Sequence, residues 1–316
     1  MEAFRVIEPG PFTTIQDLGR MGYETFGVPV SGALDQFSSR IANWIVGNPA
    51  GAAVLETTFM GPKLEVLCEA SVAVAGAEME VTLNGVSMEM WTSNNVKPGD
   101  LLWLKRSSRG LRSYLAVTGG IDVPCIMGSR STYVGAGLGG LQGRALAKGD
   151  VLKRGPGRPR TEKTSLPPVH RPVFGGEITL RAVPGPQDDY FHEGLRLFFS
   201  ATFWVTPQCD RMGYRLDGPA VPRNSTAPPS IISEPSLPGA IQIPPDGKPI
   251  ILLVEQTVGG YPKIATVIWP DLPKVAQARP KDQVRFEPVS LSQAHAIYRE
   301  NFLRLEEIRR FLKAPA

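Results

Sequence analysis

The chain has 316 residues, of which 42% are hydrophobic and 20% charged, and a net charge of +4. That length suits about two domains and buries roughly 75% of the unfolded surface, so a core needs no metal or disulfide staple. The mild positive charge admits small anionic ligands. The scattered arginines and the lack of a homeodomain, zinc-finger or RNA-recognition signature argue against nucleic acid.

The N-terminus, Met1-Glu2-Ala3-Phe4-Arg5, runs straight into a strand-like segment. It has no basic region followed by an apolar one, so no secretory signal is expected. No apolar stretch reaches the ~20 residues of a membrane span. Cys68, Cys125 and Cys209 are odd in number, widely spaced and form no Cys-x-x-Cys. That usage fits reduced thiols in a cytoplasmic protein.

The chain carries 33 glycines and 30 prolines, which fall between short apolar runs such as residues 64–67, 72–75, 101–104 and 113–117. This predicts a β-rich fold. Two stretches read as helix. Residues 35–46 place Phe37, Ile41, Trp44 and Ile45 on one face, with Asp35 as cap, Gly47 as stop and Pro49 beyond. Residues 292–313 place Ala294, Ile297, Tyr298, Phe302, Leu305, Ile308, Phe311 and Leu312 at the helical period. A turn ending in Asp recurs before strand-like runs, at Lys97-Pro98-Gly99-Asp100, Lys148-Gly149-Asp150 and Pro280-Lys281-Asp282. The basic, Pro/Gly-rich segment 154–176 reads as a linker. It divides the chain into two β-rich halves, 1–160 and 161–316, consistent with two related barrels.

In the second half, Glu255-Gln256-Thr257-Val258-Gly259-Gly260-Tyr261-Pro262-Lys263 separates the strand-like runs 249–254 and 264–269. As a hairpin tip it carries more hydrogen-bonding chemistry than a turn requires. Its paired glycines let a ligand or another backbone approach closely. Other chemistry finds little support. Gly135-Ala136-Gly137-Leu138-Gly139-Gly140 matches G-x-G-x-x-G in letters but lacks the strand and helix of a dinucleotide site. There is no Walker A sequence and no G-x-S-x-G elbow. His170, His192 and His295 are isolated, so no metal site is expected. No lysine lies in a Met-Lys-Met context, so the chain is not a biotin carrier.

What remains are polar clusters beside glycines. They are Thr13-Thr14-Ile15-Gln16-Asp17-Leu18-Gly19-Arg20, Gly128-Ser129-Arg130-Ser131-Thr132-Tyr133, Gly185-Pro186-Gln187-Asp188-Asp189 and Cys209-Asp210-Arg211-Met212-Gly213-Tyr214-Arg215. Arginine beside glycine offers a planar donor fork for carboxylate or phosphate, although Asp210 and Arg211 also suit an internal ion pair. Together the clusters point to a polar cleft for a small hydrogen-bonding ligand.

In this order, these segments resemble a known family. Its opening signature is matched by Gly10-Pro11-Phe12-Thr13-Thr14-Ile15-Gln16-Asp17-Leu18-Gly19-Arg20, followed by Gly27-Val28-Pro29-Val30-Ser31-Gly32-Ala33-Leu34-Asp35. Further matches are Gly119-Gly120-Ile121-Asp122-Val123-Pro124, Asp210-Arg211-Met212-Gly213-Tyr214-Arg215-Leu216, Gly239-Ala240-Ile241-Gln242-Ile243-Pro244 and Gly259-Gly260-Tyr261-Pro262-Lys263. This is the KipA-like family, also called the C component of 5-oxoprolinase, which is similar to part of the carboxyltransferase region of urea carboxylase. The resemblance implies a mainly β fold of two cyclophilin-like β-barrel domains with a few packed helices. It implies a KipI-like B component and an A component as partners, and ATP-dependent opening of 5-oxo-L-proline to L-glutamate, with ATP used by the complex. Two other roles fit the same resemblance. One is a biotin-dependent carboxyltransferase component acting on urea or a related amide. The other is a non-catalytic KipI-binding regulator of a sensor kinase. Where relatives tend to carry Thr-Thr-Gly-Gly, this chain has Thr257-Val258-Gly259-Gly260, one hydroxyl fewer.

For an amide substrate, Arg20, Arg130 and Arg211 are the candidates for binding anions. Gln187, Gln242, Gln256 and Tyr261 are candidates for orienting the amide, with Thr257, Gly259 and Gly260 completing the loop. Asp210 and Glu255 are the candidate proton carriers.

Overall fold

The computed structural model describes residues 1–313. The chain forms two compact units. Unit 1 comprises Met1–Met21, Ser31–Phe174 and the residues from Leu305 on, and unit 2 comprises Gly22–Val30 and Gly175–Arg304.

Unit 1 contains β1 (Glu2–Glu8), β2 (Thr13–Gln16), α1 (Gln36–Ile45), β3 (Val54–Thr58), β4 (Lys63–Val66), β5 (Ala70–Leu83), β6 (Val86–Ser87), β7 (Asn94–Val96), β8 (Leu101–Val117) and β9 (Val151–Lys153). The strands form one nine-stranded sheet with a main path β2-β3-β8-β4-β1-β9, and β5 pairs with β6, β7 and β8. The two-residue period of a strand gives this sheet two buried faces. Val72, Val74, Leu115 and Val117 join Phe4, Ile15, Leu55 and Leu102 in one core. Their neighbours Ala73, Ala75, Tyr114 and Ala116 join Ile41, Ala42 and Ile45 of α1 in another, together with Ile308 and Leu312. Alanines on the helix-facing side leave room for α1 to pack on the sheet. Asp35 starts α1 by accepting from Ser38 N at 2.9 Å and Ser38 Oγ at 2.6 Å.

Unit 2 contains β10 (Glu177–Pro184), α2 (His192–Ser200), β11 (Thr202–Cys209), β12 (Gly213–Asp217), β13 (Glu234–Pro235), β14 (Ala240–Gln242), β15 (Ile250–Leu252), β16 (Val258–Gly259), β17 (Lys263–Val267), α3 (Leu272–Gln277) and β18 (Gln283–Pro288). The last helix, α4 (Leu291–Lys313), begins in this unit. Seven strands close into a barrel in the order β10-β17-β14-β15-β12-β11-β18. Closure comes from the parallel pairing of β10 with β18. Buried and exposed residues alternate along β11, β12 and β18, so Phe203, Val205, Tyr214, Leu216, Val284 and Phe286 point inward. On α2, Phe198 stacks on Phe286 with ring centroids 4.3 Å apart. A separate two-stranded sheet joins β13 to β16.

The mainly β architecture with a C-terminal helix is as expected, with a closed seven-stranded barrel in unit 2 and a curled half-barrel sheet in unit 1. The two expected helices appear as α1 and α4. The helices α2 and α3 were not expected. The first lacks a side-chain cap and the second is only six residues long, so neither has a strong local signature. The recurrent Asp turn is one repeated device. Asp100, Asp150 and Asp282 each accept a bond from the backbone N–H three residues earlier, on Lys97 (2.9 Å), Ala147 (2.7 Å) and Arg279 (2.8 Å). The strands β8, β9 and β18 begin at once or within one residue.

Two expectations are corrected in detail. The loop 255–263 is not a hairpin tip, because β15 and β17 are not neighbours and β14 lies between them. Nor does the start of the segment read as a linker hang free. Arg154 is buried and donates to the carbonyls of Thr118, Gly157 and Glu69 at 3.3, 3.0 and 3.2 Å. Arg160 reaches the carbonyls of Ile45 and Leu312 at 3.3 and 2.9 Å. These arginines spend their guanidinium donors on backbone carbonyls and strap the segment to unit 1.

Candidate functional site

In unit 2, the barrel register puts Gln242 of β14 opposite Lys263 of β17. Such cross-strand partners share a face and lie within side-chain reach. The turn after β10 adds Gln187. Its Oε1 accepts from Lys263 N at 2.9 Å, and its backbone N–H donates to Lys263 O at 3.3 Å. From β13 comes Glu234, whose Oε1 accepts from Lys263 Nζ at 2.7 Å and from Gln187 Nε2 at 3.1 Å. Glu234 is also the backbone partner of Gly259 on β16. Segments distant in sequence therefore contribute Gln187, Glu234, Gln242, Gly259 and Lys263 to one polar cluster.

The cluster is mostly enclosed. Gln242 is 4% exposed and the Lys263 side chain 5%, whereas the Glu234 side chain is 39% exposed. The hydrogen bond from Lys263 is the main cause that holds the Glu234 carboxyl below the usual range. Gln242 Nε2 has no hydrogen-bond partner among the described residues. Gly259 packs so closely on Gln242 that a Cβ there would overlap Nε2. This glycine is therefore a matter of space for a carboxamide rather than of a turn.

The other loop residues do different work. Gln256 bonds back to the carbonyl of Val258, and the Thr257 carbonyl accepts from Ser236 N at 2.9 Å. The Gly260 carbonyl accepts from Ile231 N at 2.8 Å, and Tyr261 is 39% exposed. Arg211 Nε donates to Glu255 Oε1 at 2.5 Å, and both side chains are nearly buried. The adjacent Asp210 is exposed. Its Oδ1 accepts from Met212 N at 2.7 Å and Gly213 N at 3.1 Å, which shapes the β11–β12 turn.

In unit 1, Arg20 and Arg130 belong to a second polar cluster, with Asp17 as its hub. Asp17 Oδ1 accepts from Gly19 N at 2.8 Å, Ser129 Oγ at 2.7 Å and Ser131 Oγ at 2.5 Å. Its Oδ2 accepts from Arg130 N at 2.6 Å. Arg20 is fully buried and donates to the carbonyls of Ile126 and Ser131 at 3.2 and 2.9 Å. Burial lowers its guanidinium pKa, with Asp17 acting in the opposite direction. Arg130 Nε donates to the Val123 carbonyl at 3.1 Å. The glycine-rich segment fits around this knot. Gly139, at φ +70°, presses on the Ser131 carbonyl and leaves no room for a Cβ. Its letters serve packing. Within unit 1 these groups tie two loops together and occupy both oxygens of Asp17, while Arg20 Nη1 is buried with no hydrogen-bond partner among the described residues.

The unit 2 cluster is chemically different. It combines a carboxamide with an unspent donor, a compensated ammonium and a half-exposed carboxylate. Gln187, Gln242 and Gly259 come together as anticipated functional groups, while Gln256, Thr257 and Tyr261 make local or surface contacts. Sequence reasoning left out Lys263 and Glu234. Lys263 ends the very loop that drew attention. Glu234 lies in a Pro/Ser-rich stretch with no local mark.

A family model described as "Carboxyltransferase domain, subdomain A and B" matches residues 26–288. The chain is 40% identical over 298 residues to the C component of the 5-oxoprolinase of Escherichia coli K12, covering 92% of each protein. It is 36% identical to urea amidolyase of Lachancea kluyveri, covering 93% of this chain but 17% of that one. Among solved structures, K. lactis urea amidolyase superposes with a TM-score of 0.91 at 33% identity, covering 97% of this chain and 20% of that chain. The chain thus spans about a fifth of that solved relative and nearly all of the bacterial 5-oxoprolinase component.

Proposed function

The chain belongs to the carboxyltransferase domain family, subdomain A and B, and from that membership we propose that it is the C component of an ATP-dependent 5-oxoprolinase complex. The complex would open 5-oxo-L-proline to L-glutamate, with a KipI-like B component and an A component as the other chains, in the cytoplasm. One observation carries this reading. The similarity to the bacterial 5-oxoprolinase component covers 92% of both chains, whereas that to urea amidolyase covers 17% of the relative.

The chemistry agrees with the polar cluster of unit 2. A lactam carbonyl is a poor electrophile. Transfer of a phosphoryl group from ATP to its oxygen activates the carbon. ADP leaves, a first water adds to the carbon, and the ring C–N bond breaks with a proton passing to the nitrogen to leave an acyl phosphate. A second water hydrolyses the acyl phosphate to the carboxylate and free phosphate. The protein's part is to orient the planar amide and supply donors where negative charge develops. Gln187 and Gln242, the latter seated against Gly259, fit that part. Asp210 and Glu255 are the two candidates for proton transfer, each with one oxygen engaged: Asp210 Oδ1 by the β11–β12 turn and Glu255 Oε1 by Arg211.

A second reading is a carboxyltransferase component acting with carboxybiotin carried on another chain. It is favoured by the family description and by the TM-score of 0.91 with urea amidolyase. Reconstitution separates the two. The 5-oxoprolinase reading expects glutamate release from 5-oxo-L-proline that needs ATP and all three chains, without bicarbonate or biotin. Turnover that needs bicarbonate and a biotin carrier supports the second reading. An undiminished rate when this chain is omitted contradicts both.

A further inference from the structure

We propose that Gln242, Lys263 and Glu234 form a recognition subsite for a neutral planar amide, with the amide oxygen between Gln242 and Lys263 and the amide N–H on Glu234. The inference rests on the proposed amide chemistry for its substrate, but its geometry is that of the unit 2 cluster alone.

Three observations fix the ligand class. First, the Gln242 carboxamide is buried, and its Nε2 donor has no partner among the described residues. A buried donor of this kind is costly unless a ligand or water takes it. Second, Lys263 Nζ is bound to Glu234 Oε1, and an ammonium carries three donors, so others remain for a ligand oxygen. Third, the Glu234 bonds from Lys263 and Gln187 both end on Oε1, and a carboxylate has a second oxygen to accept a ligand N–H. The ammonium and the carboxylate cancel, so the subsite has no net charge. It therefore suits a neutral group with one acceptor and one donor in a plane. A lactam or a urea presents that pattern, whereas a free carboxylate offers acceptors only and would face Glu234. Such matched polar groups reject analogues that lack a partner far more strongly than apolar pockets do. Glu234 lies on the β13–β16 cover and is the exposed member, so a ligand enters by its side.

The test uses the purified full chain and ligand-observed NMR with three probes: 5-oxo-L-proline, 2-pyrrolidone and L-proline. Both lactams are expected to bind. L-proline, which has no ring carbonyl, is expected not to bind. Gln242→Met removes the donor at similar volume and is expected to weaken lactam binding at least tenfold. Gly259→Ala is the second variant. Its backbone is not in the left-handed region, and its new methyl meets only the flexible end of Gln242. It should fold normally and weaken the lactams to a similar degree. Lactam binding unchanged in both variants would overturn the proposal, as would no lactam binding to the wild-type chain or equal binding of L-proline. If the lactams bind as expected but the reconstituted complex makes no glutamate, the subsite stands and the 5-oxoprolinase reading fails.

Discussion

Two polar clusters, one in each unit, use similar residue types to different ends. Around Asp17 in unit 1, a carboxylate accepts four bonds from two loops, and Arg20 spans two backbone carbonyls. Around Gln242 in unit 2, a glutamine donor is left over, an ion pair is half open and a glycine clears space. Burial alone does not separate them, since Arg20 and Gln242 are both enclosed. The difference lies in how the donors and acceptors are wired. Each cluster holds one buried donor without a partner among the described residues, Arg20 Nη1 and Gln242 Nε2, so the contrast is in the carboxylates. Asp17 is buried with both oxygens bonded, whereas Glu234 is 39% exposed with the bonds from Lys263 and Gln187 both on Oε1.

The sharpest way to break this comparison is to remove the hub of the unit 1 cluster, the fully bonded Asp17 carboxylate. Asp17→Ala strands two backbone N–H groups and two hydroxyls, and is expected to cost about 3–5 kcal/mol in urea denaturation. A cost below about 1 kcal/mol would put the Asp17 cluster in the same class as the Gln242 cluster.

Asp271 shows that wiring, rather than the choice of unit, decides the outcome. It lies in unit 2, yet it is fully engaged. It accepts from Arg181 N and Nε, both at 2.9 Å, from Arg181 Nη2 at 2.7 Å, and pairs with Lys274 at 3.0 Å. Asp271→Ala is expected to cost roughly 3 kcal/mol. Burial acts to raise the Asp271 pKa, but the bonds from Arg181 and the charge of Lys274 outweigh it, so the folded value lies below the ordinary one. A depressed folded pKa means that the contribution is complete above the unfolded value of about 4 and is lost as pH falls through the folded one. Denaturation midpoints of wild type and Asp271→Ala should therefore converge as pH drops below about 4. A gap that widens there would contradict the assignment.

The Asp turns supply a smaller test. At the position before Asp, two copies have Gly99 and Gly149, at φ +88° and +90°, while the third has Lys281 at φ +79°. Lys281→Gly relieves a left-handed side chain and is expected to stabilise the protein by up to about 1 kcal/mol, read as a rise in melting temperature. A fall would mean that the lysine makes a compensating contact.

The turn repeat and the two long helices were readable because their causes are local. Asp35 caps α1 from the next turn, and Asp100, Asp150 and Asp282 each act over three residues. The strand-like runs were readable for the same reason. The insertion of β14 between β15 and β17 was not, since it depends on barrel closure rather than on any local pattern. Arg154 and Arg160 looked like solvated linker charges because their carbonyl partners lie far away in sequence. The site was legible by half. Gln187, Gln242 and Gly259 stood out beside glycines, but Glu234 is tied to the site only through Lys263, Gln187 and the pairing of β13 with β16.

The central claim is that the unspent donor of Gln242 serves an amide substrate. Its most direct test is the ATP-dependent rate of glutamate release from 5-oxo-L-proline by the reconstituted complex, measured with wild-type chain and with Gln242→Met at matched melting temperature. The expected result is a fall in kcat/KM of roughly 10²-fold, the scale seen when one preorganised donor is lost, with stability changed by less than about 1 kcal/mol. Equal kcat/KM for the two proteins would contradict the account.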